Sequence, residues 1–218
     1  MPNPVLHYVY DPLCGWCYAV TPMVDAVAAA GIPLSLHGGG LWDAPTRLAR
    51  EKLAYIRQSD ARIGALTGQQ FGDAYLNGLL GDNATVFWSQ PTIAAVLAAG
   101  ELEPGAERRM LHAIQQAHYV AGLRVVESDV LAVVAAGIGL DQDAFAAAFA
   151  PDAAADHIER TRRFMARAGL SGFPGFVLEN GPELVRVPHE DFYGRPDVFV
   201  EALAAMSLTP SCQEELIA

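Results

Sequence analysis

Two cysteines stand three positions apart in Tyr10-Asp11-Pro12-Leu13-Cys14-Gly15-Trp16-Cys17, between a run of strand formers and a run of helix formers. A thiol at the start of a helix faces unpaired backbone N–H groups and the positive end of the helix dipole. Both favour thiolate over thiol. A second thiol three residues on returns to the same side and can close a disulfide with the first. The pair suits thiol–disulfide exchange, with Cys14 attacking and Cys17 resolving the mixed disulfide. The competing chemistry for C-x-x-C is half of a zinc site, which needs a second pair of ligands. The remaining cysteine, Cys212, stands alone in a polar C-terminal stretch and reads as a bystander thiol. His112 and His118 fall on different sides of a helix, and with His157 and His189 they give no ligand spacing, so no metal is expected.

The elements around the cysteines must position them. Val5–Tyr10 (VLHYVY) is apolar, aromatic and β-branched with little alternation, the pattern of a strand buried on both faces. His7 within it reads as a strand histidine with satisfied ring nitrogens. A helix is expected from about Cys14 to Ala30, kinked at Pro22, which lacks an N–H and crowds the preceding turn. Gly31 stops it, and Ile32–His37 supplies a second strand, parallel to the first in a right-handed βαβ unit. Gly38-Gly39-Gly40 lacks the lysine and hydroxyl residue of a phosphate loop.

From residue 41 to 170, alanine-rich segments of helical period dominate. Pro91–Ala99 is expected behind a Ser89 cap and before Gly100, and Ala106–Ala121 before Gly122. Asp129–Ala136 lies between Ser128 and Gly137, Ala144–Phe149 follows an Asp141 cap, and Asp152–Ala168 lies between Pro151 and Gly169. The aromatics of this block, Trp42, Tyr55, Phe71, Tyr75, Phe87, Trp88 and Tyr119, are expected mostly in the core. Strand signals return at Phe176–Leu178 and Leu184–Val187, with Asn180-Gly181 as the hairpin turn, and Pro196 opens a last helix over Asp197–Ser207. The first 40 residues cannot build a core alone, so the two ends are expected to share one mixed sheet.

The chain has 218 residues, 52% hydrophobic, and a net charge of -11, with no basic run longer than a pair. Such a chain can bury a core and is a poor partner for nucleic acid or acidic membranes. Val130–Leu140, the longest apolar stretch, is 11 residues with two glycines, too short to span a bilayer. Met1-Pro2-Asn3-Pro4-Val5 lacks the basic and apolar regions of a signal peptide, which points to the cytoplasm. There C-x-x-C reads as redox chemistry.

The chain resembles the thioredoxin superfamily and, within it, the DsbA-like thiol–disulfide oxidoreductases. The resemblance rests on Cys14-Gly15-Trp16-Cys17, on Pro22, on Phe173-Pro174 before the hairpin, and on helices inserted between β-α-β and β-β-α. YVYDPLCGWC at Tyr8–Cys17 is similar to the Tyr-x-x-Asp-Pro-x-Cys-x-Trp-Cys signature of a bacterial protein-disulfide isomerase branch, and the stretch from Gly122 to Asp141 is similar to its late insertion helices. The implied fold class is α/β, thioredoxin-like with a large all-helical insertion. Its implied divisions are 1–40 and 171–208 for the thioredoxin-like domain, 41–170 for the insertion and 209–218 for a tail.

The resemblance makes Cys14 the nucleophile and Cys17 the resolving thiol. Read by itself, Pro174 is a turn residue; the resemblance makes its bond to Phe173 cis and sets it against the cysteines. Phe173 then offers its backbone to an extended substrate, with Trp16 as a partly exposed platform. The implied function is a thiol–disulfide oxidoreductase or protein-disulfide isomerase acting on protein or small-molecule thiols. It needs no cofactor beyond its redox-active disulfide, takes glutathione as a candidate co-substrate, and works as a monomer or homodimer. The alternative is a glutathione-dependent isomerase or transferase of the kappa-class or hydroxychromene-carboxylate isomerase type, relatives that usually carry serine where this chain has Cys14. A binding protein that kept its cysteines for packing is a third reading. The Gly-Trp dipeptide, the bulk of Phe173 and the nearby acid Asp11 assign no strong oxidant potential.

Overall fold

Val5–Tyr10 forms strand β1 at the centre of a four-stranded sheet in a computed structural model that describes residues 4–208. Cys212 and the stretch 209–218 lie outside the described residues. β1 pairs in parallel with β2 (Leu34–Gly38) and antiparallel with β3 (Gly175–Asn180), which pairs with β4 (Glu183–Arg186). Both ends of the chain therefore meet in one mixed sheet, as expected. Leu6, Tyr8 and Tyr10 are fully buried. The Tyr8 ring stacks on Phe176 with centroids 4.9 Å apart, and Phe176 meets Phe199 of the C-terminal helix edge-on at 5.2 Å. His7 has both ring nitrogens engaged, one with His37 at 2.8 Å and one with Glu179 at 2.7 Å, which is the satisfied strand histidine of the sequence reading.

The single kinked helix does not form. Two helices replace it, α1 (Gly15–Ala19) and α2 (Thr21–Ala29), separated at Val20. Pro22 stands in the first turn of α2, where its missing N–H has no partner to lose, so it starts a helix instead of bending one. Cys14 becomes the residue capping α1, with extended backbone (φ -101°, ψ 114°), and Cys17 lies in the first turn.

The insertion contains α3 (Arg50–Thr67), α4 (Ser89–Leu102), α5 (Ala106–Tyr119), α6 (Ser128–Gly137), α7 (Gln142–Ala148) and α8 (Ala153–Arg167). Of these α3 was not singled out from the sequence. Ser89 and Ser128 are first residues of their helices rather than caps. Ser89 is fully buried, and its hydroxyl accepts the Trp42 amide at 2.9 Å. Gly100 lies inside α4, which runs on to Leu102. Asp141 does cap α7, accepting the Ala144 amide at 2.9 Å. The C-terminal helix α9 spans Pro196–Leu208. The hairpin turn is shifted by one residue from its expected place. Asn180 pairs with Glu183, and Gly181, at φ 62°, opens the turn. Side chains from the sheet, α1, α2, α9 and the insertion form one continuous buried cluster.

The sheet fixes α1 directly: the Tyr8 hydroxyl donates to the Cys17 carbonyl at 3.1 Å inside the core. Tyr8→Phe removes that donor and is expected to cost about 1 kcal/mol, a fall in Tm of about 2–4 °C by thermal melting. An unchanged Tm would mean the bond contributes nothing to holding α1.

Candidate active site

Cys14 and Cys17 are both free thiols, Cys14 only 7% exposed and Cys17 fully buried. The Cys14 Sγ lies 3.8 Å from the Phe173 carbonyl oxygen, the thiol donating. The chain segments around residues 14 and 173 thus meet at one sulfur. Cys17 lies deeper, where its Sγ accepts the Asp11 amide at 3.4 Å. Burial pushes the Cys17 thiol well above its ordinary range, and the neighbouring Cys14 pushes it further.

Asp11 is fully buried. Its carboxylate accepts the Leu13 amide at 2.9 Å and the Leu41 amide at 2.7 Å. Burial raises its carboxyl, against these hydrogen bonds and that of Ser89. Its charge also raises the Cys17 thiol, so the opposition expected of this acid reaches the buried cysteine.

The Phe173–Pro174 bond is cis, as the resemblance implied. With Trp16, His189 and Tyr193, these two residues line a cleft of about 240 Å³ that adjoins the cysteine motif at Trp16 and is lined by neither sulfur. Trp16 is half-buried, 5.2 Å from the Tyr193 ring, and the Arg62 guanidinium lies over it at 5.6 Å. A larger cavity, about 660 Å³, opens between β2 and helices α4 and α8 and touches neither cysteine. Gly39 explains the triple glycine: a Cβ there would stand 2.2 Å from the Phe173 ring. Arg162 of α8 donates to the Gly39 and Gly40 carbonyls at 3.1 and 2.7 Å, and the Gly38 amide donates to His157 at 3.0 Å. The three glycines let β2, α8 and Phe173 close on one another.

Sequence reasoning missed Asp60, His189, Tyr193 and Arg62. Asp60 lies on the buried side of α3, 3% exposed, and accepts the Tyr75 hydroxyl at 2.9 Å. Its Oδ1 would be 2.8 Å from a Cβ on Gly15, between the two cysteines. The available signal was an acid at helical spacing among Leu53, Ile56 and Ile63. Of the block's aromatics, Tyr75, Phe87 and Tyr119 are buried as expected, while Tyr55 is 60% exposed. Among the described residues no group of three or more His, Cys, Asp or Glu could hold a metal ion, and no helix is long and apolar enough to cross a membrane.

A mixed sheet, a long helical insertion and a C-x-x-C at a helix start define a thioredoxin-like thiol–disulfide redox enzyme. Residues 5–203 match the family described as the DSBA-like thioredoxin domain, and the chain belongs to that family. The chain is similar to the cytosolic disulfide reductase DsbM from Pseudomonas aeruginosa. Identity is 41%, the match covers 93% of this chain and 98% of that one, and the TM-score is 0.84. The same protein solved with GSH (glutathione) matches at a TM-score of 0.83, with the same identity and coverage. A protein disulfide isomerase candidate from Nitrosomonas europaea matches at 27% identity and a TM-score of 0.78, over 94% of this chain and 97% of that one. A 2-hydroxychromene-2-carboxylate isomerase shares the fold alone, at 14% identity. No curated protein matches the chain.

Two predictions follow from this geometry. Gly39→Ala drives a methyl into the Phe173 ring; it is expected to destabilise by about 1–3 kcal/mol and to slow Cys14 exchange, measured by melting and by disulfide turnover. Unchanged turnover would separate Phe173 from the reaction. The second concerns Asp60, whose carboxyl burial raises from 3.8 to about 6. A raised folded value gives stability that is full below the unfolded value and lost as pH rises through the folded one. Asp60→Asn, which keeps an acceptor for Tyr75, is therefore expected to stabilise the protein by about 2–3 kcal/mol at pH 7.5 and little at pH 4. Denaturation at the two pH values checks this, and an equal effect at both refutes it.

Proposed function

We propose that the protein is a cytoplasmic disulfide reductase that passes electrons from glutathione to disulfides of small molecules or extended peptides. Cys14 is the attacking thiolate, Cys17 the resolving thiol, Phe173 and Pro174 the substrate groove, and Trp16 its wall. The observation that carries this reading is the placement of the Cys14 sulfur 3.8 Å from the Phe173 carbonyl with Cys17 buried behind it. One sulfur meets the Phe173 backbone and the other is fully buried.

The steps balance. Cys14 thiolate attacks a substrate disulfide, forms a mixed disulfide and releases one substrate thiol, which takes a proton from solvent. Cys17 loses its proton and attacks Cys14 in that mixed disulfide, closing Cys14–Cys17 and releasing the second thiol. Two glutathione thiols then reduce the pair and leave as glutathione disulfide. Overall, one disulfide and two glutathiones become two thiols and one glutathione disulfide. The high cost of the Cys17 thiolate keeps that residue a thiol until the mixed disulfide places a target beside it.

The relative solved with glutathione supports a glutathione-linked reaction more than a protein-disulfide isomerase one. It favours the glutathione side of the alternative in the sequence reading, while the intact Cys14 favours redox chemistry over isomerisation or transfer. The net charge of -11 supports soluble thiol partners over nucleic acid.

Single variants separate these readings. Cys17→Ser is expected to trap mixed disulfides on Cys14 and to lose most reductase turnover with glutathione and hydroxyethyl disulfide; Cys14→Ser is expected to trap none and to be inactive. Mass spectrometry of quenched mixtures reads the adducts. Full turnover by Cys17→Ser would assign a one-thiol glutathione mechanism, and trapping on Cys17 in Cys14→Ser would invert the roles.

A further inference from the structure

We propose that the cavity between β2 and helices α4 and α8 is a second ligand site, suited to a short free peptide of apolar residues in its zwitterionic form. The site is independent of the exchange reading, because neither cysteine lines it. At about 660 Å³ it falls within the range of small-molecule sites. Leu34 and Leu36 of β2 and Leu97 of α4 give it an apolar lining, and Ala98 and Ala148 keep it open by their small size. Branched apolar side chains fill such a space and gain by leaving water.

Two polar groups in its wall lack protein partners. Tyr10, the last residue of β1, is only 1% exposed and lines the cavity. Among the described residues its hydroxyl makes no hydrogen bond. Burial, with the nearby acids Asp11 and Glu107, pushes that hydroxyl far above its ordinary range, so it stays protonated and able to donate. A buried donor without an acceptor costs stability, and an acceptor arriving in the cavity relieves that cost. The second group is His157 of α8. Its Nε2 accepts the Gly38 amide at 3.0 Å, which leaves the proton of the neutral ring on Nδ1. Burial, and then the charge of Arg160, lowers the titration of this ring and keeps it neutral at pH 7. Among the described residues Nδ1 has no partner.

Charge decides the class of ligand. Glu107 of α5 lines the cavity near Tyr10. Gly100 of α4 makes room for it: a Cβ there would stand 3.3 Å from the Glu107 Cβ and Oε2. Arg160 lines the cavity from α8, one turn beyond His157. Neither Glu107 nor Arg160 forms an ion pair among the described residues. The α5 side therefore offers a carboxylate, and the α8 side a guanidinium and an N–H. An ammonium suits the first and a carboxylate the second. A simple anion or a simple cation is attracted by one side and repelled by the other. A peptide of two or three apolar residues carries both charges and the apolar body, and the carbonyl next to its ammonium supplies the acceptor that Tyr10 lacks.

The test titrates the full-length protein by calorimetry at neutral pH with the dipeptide Leu-Leu, its N-acetyl form and its C-terminal amide. Wild type is expected to bind Leu-Leu one to one, and each blocked form about tenfold more weakly. Glu107→Gln should weaken Leu-Leu by about tenfold and bring the N-acetyl form within about twofold of it; Arg160→Gln should do the same for the amide. Tyr10→Phe should weaken all three by about three- to tenfold. Ala148→Leu fills the cavity and should abolish binding, with melting to show that the variant folds; if it does not, the two charge variants decide. Cys14→Ser should bind as wild type does, and disulfide turnover should be unchanged in Glu107→Gln and Arg160→Gln. No binding by wild type at millimolar peptide overturns the proposal, as does equal affinity for the three forms. Unchanged selectivity in both charge variants, or binding retained by a folded Ala148→Leu, also overturns it. Loss of binding in Cys14→Ser places the peptide in the Phe173 groove and overturns it too, while each of these results leaves the exchange reading standing.

Discussion

The burial of the Asp11 carboxylate is the constraint on which the rest of the site depends. A carboxylate removed from water must find hydrogen-bond donors or pay a large desolvation penalty. Here the donors are backbone amides from two separate places, Leu13 before the cysteines and Leu41 after the triple glycine. The Asp11 amide itself is directed at the Cys17 sulfur. One residue thus fastens the loop that presents Cys14, the buried thiol behind it, and the exit of the chain from β2. The order of these segments in space follows from satisfying one buried charge.

The insertion is part of this arrangement and more than a cover for the sheet. Arg162 and His157 of α8 hold the glycine turn from outside, and Gly39 takes the Phe173 ring against its bare backbone. Asp60 of α3 meets the redox motif from another side. Tyr18, three residues beyond Gly15, stacks on Tyr119 of α5 at 4.9 Å, while Gln69 donates to its carbonyl at 2.8 Å. Residues from two inserted helices, α3 and α5, and from the loop after α3 therefore bear on a helix of five residues, too short to hold its shape alone.

What could be read in the sequence was local. Val5–Tyr10 showed its strand, and the cysteine spacing its exchange chemistry, because apolar runs and i, i+3 geometry are properties of neighbouring residues. Pro22 was harder: proline bends a helix interior and begins a helix equally well, and the break at Val20 decides between them through tertiary packing. The serines before α4 and α6 offered cap chemistry, but Ser89 is drawn inward to bond Trp42, a partner 47 positions away. Asp60 and Tyr193 were illegible for the same reason. Their importance lies in what they touch across the fold, and α3 carries enough charged residues to hide the apolar stripe on which Asp60 sits. The placement of Pro174 beside the cysteines came from resemblance rather than from its own neighbours.

The recess around Cys14 has a further consequence, in the shape of what can reach it. Cys14 exposes only 7% of its surface, and its sulfur lies against the Phe173 carbonyl, in a motif flanked by Trp16 and Tyr193. Exchange requires the incoming disulfide to line up with that sulfur, so a bond buried beneath a folded surface is turned away by bulk before reactivity is tested. On the proposed function a slender or unfolded chain would pass, and the protein would sort disulfides by how far they protrude.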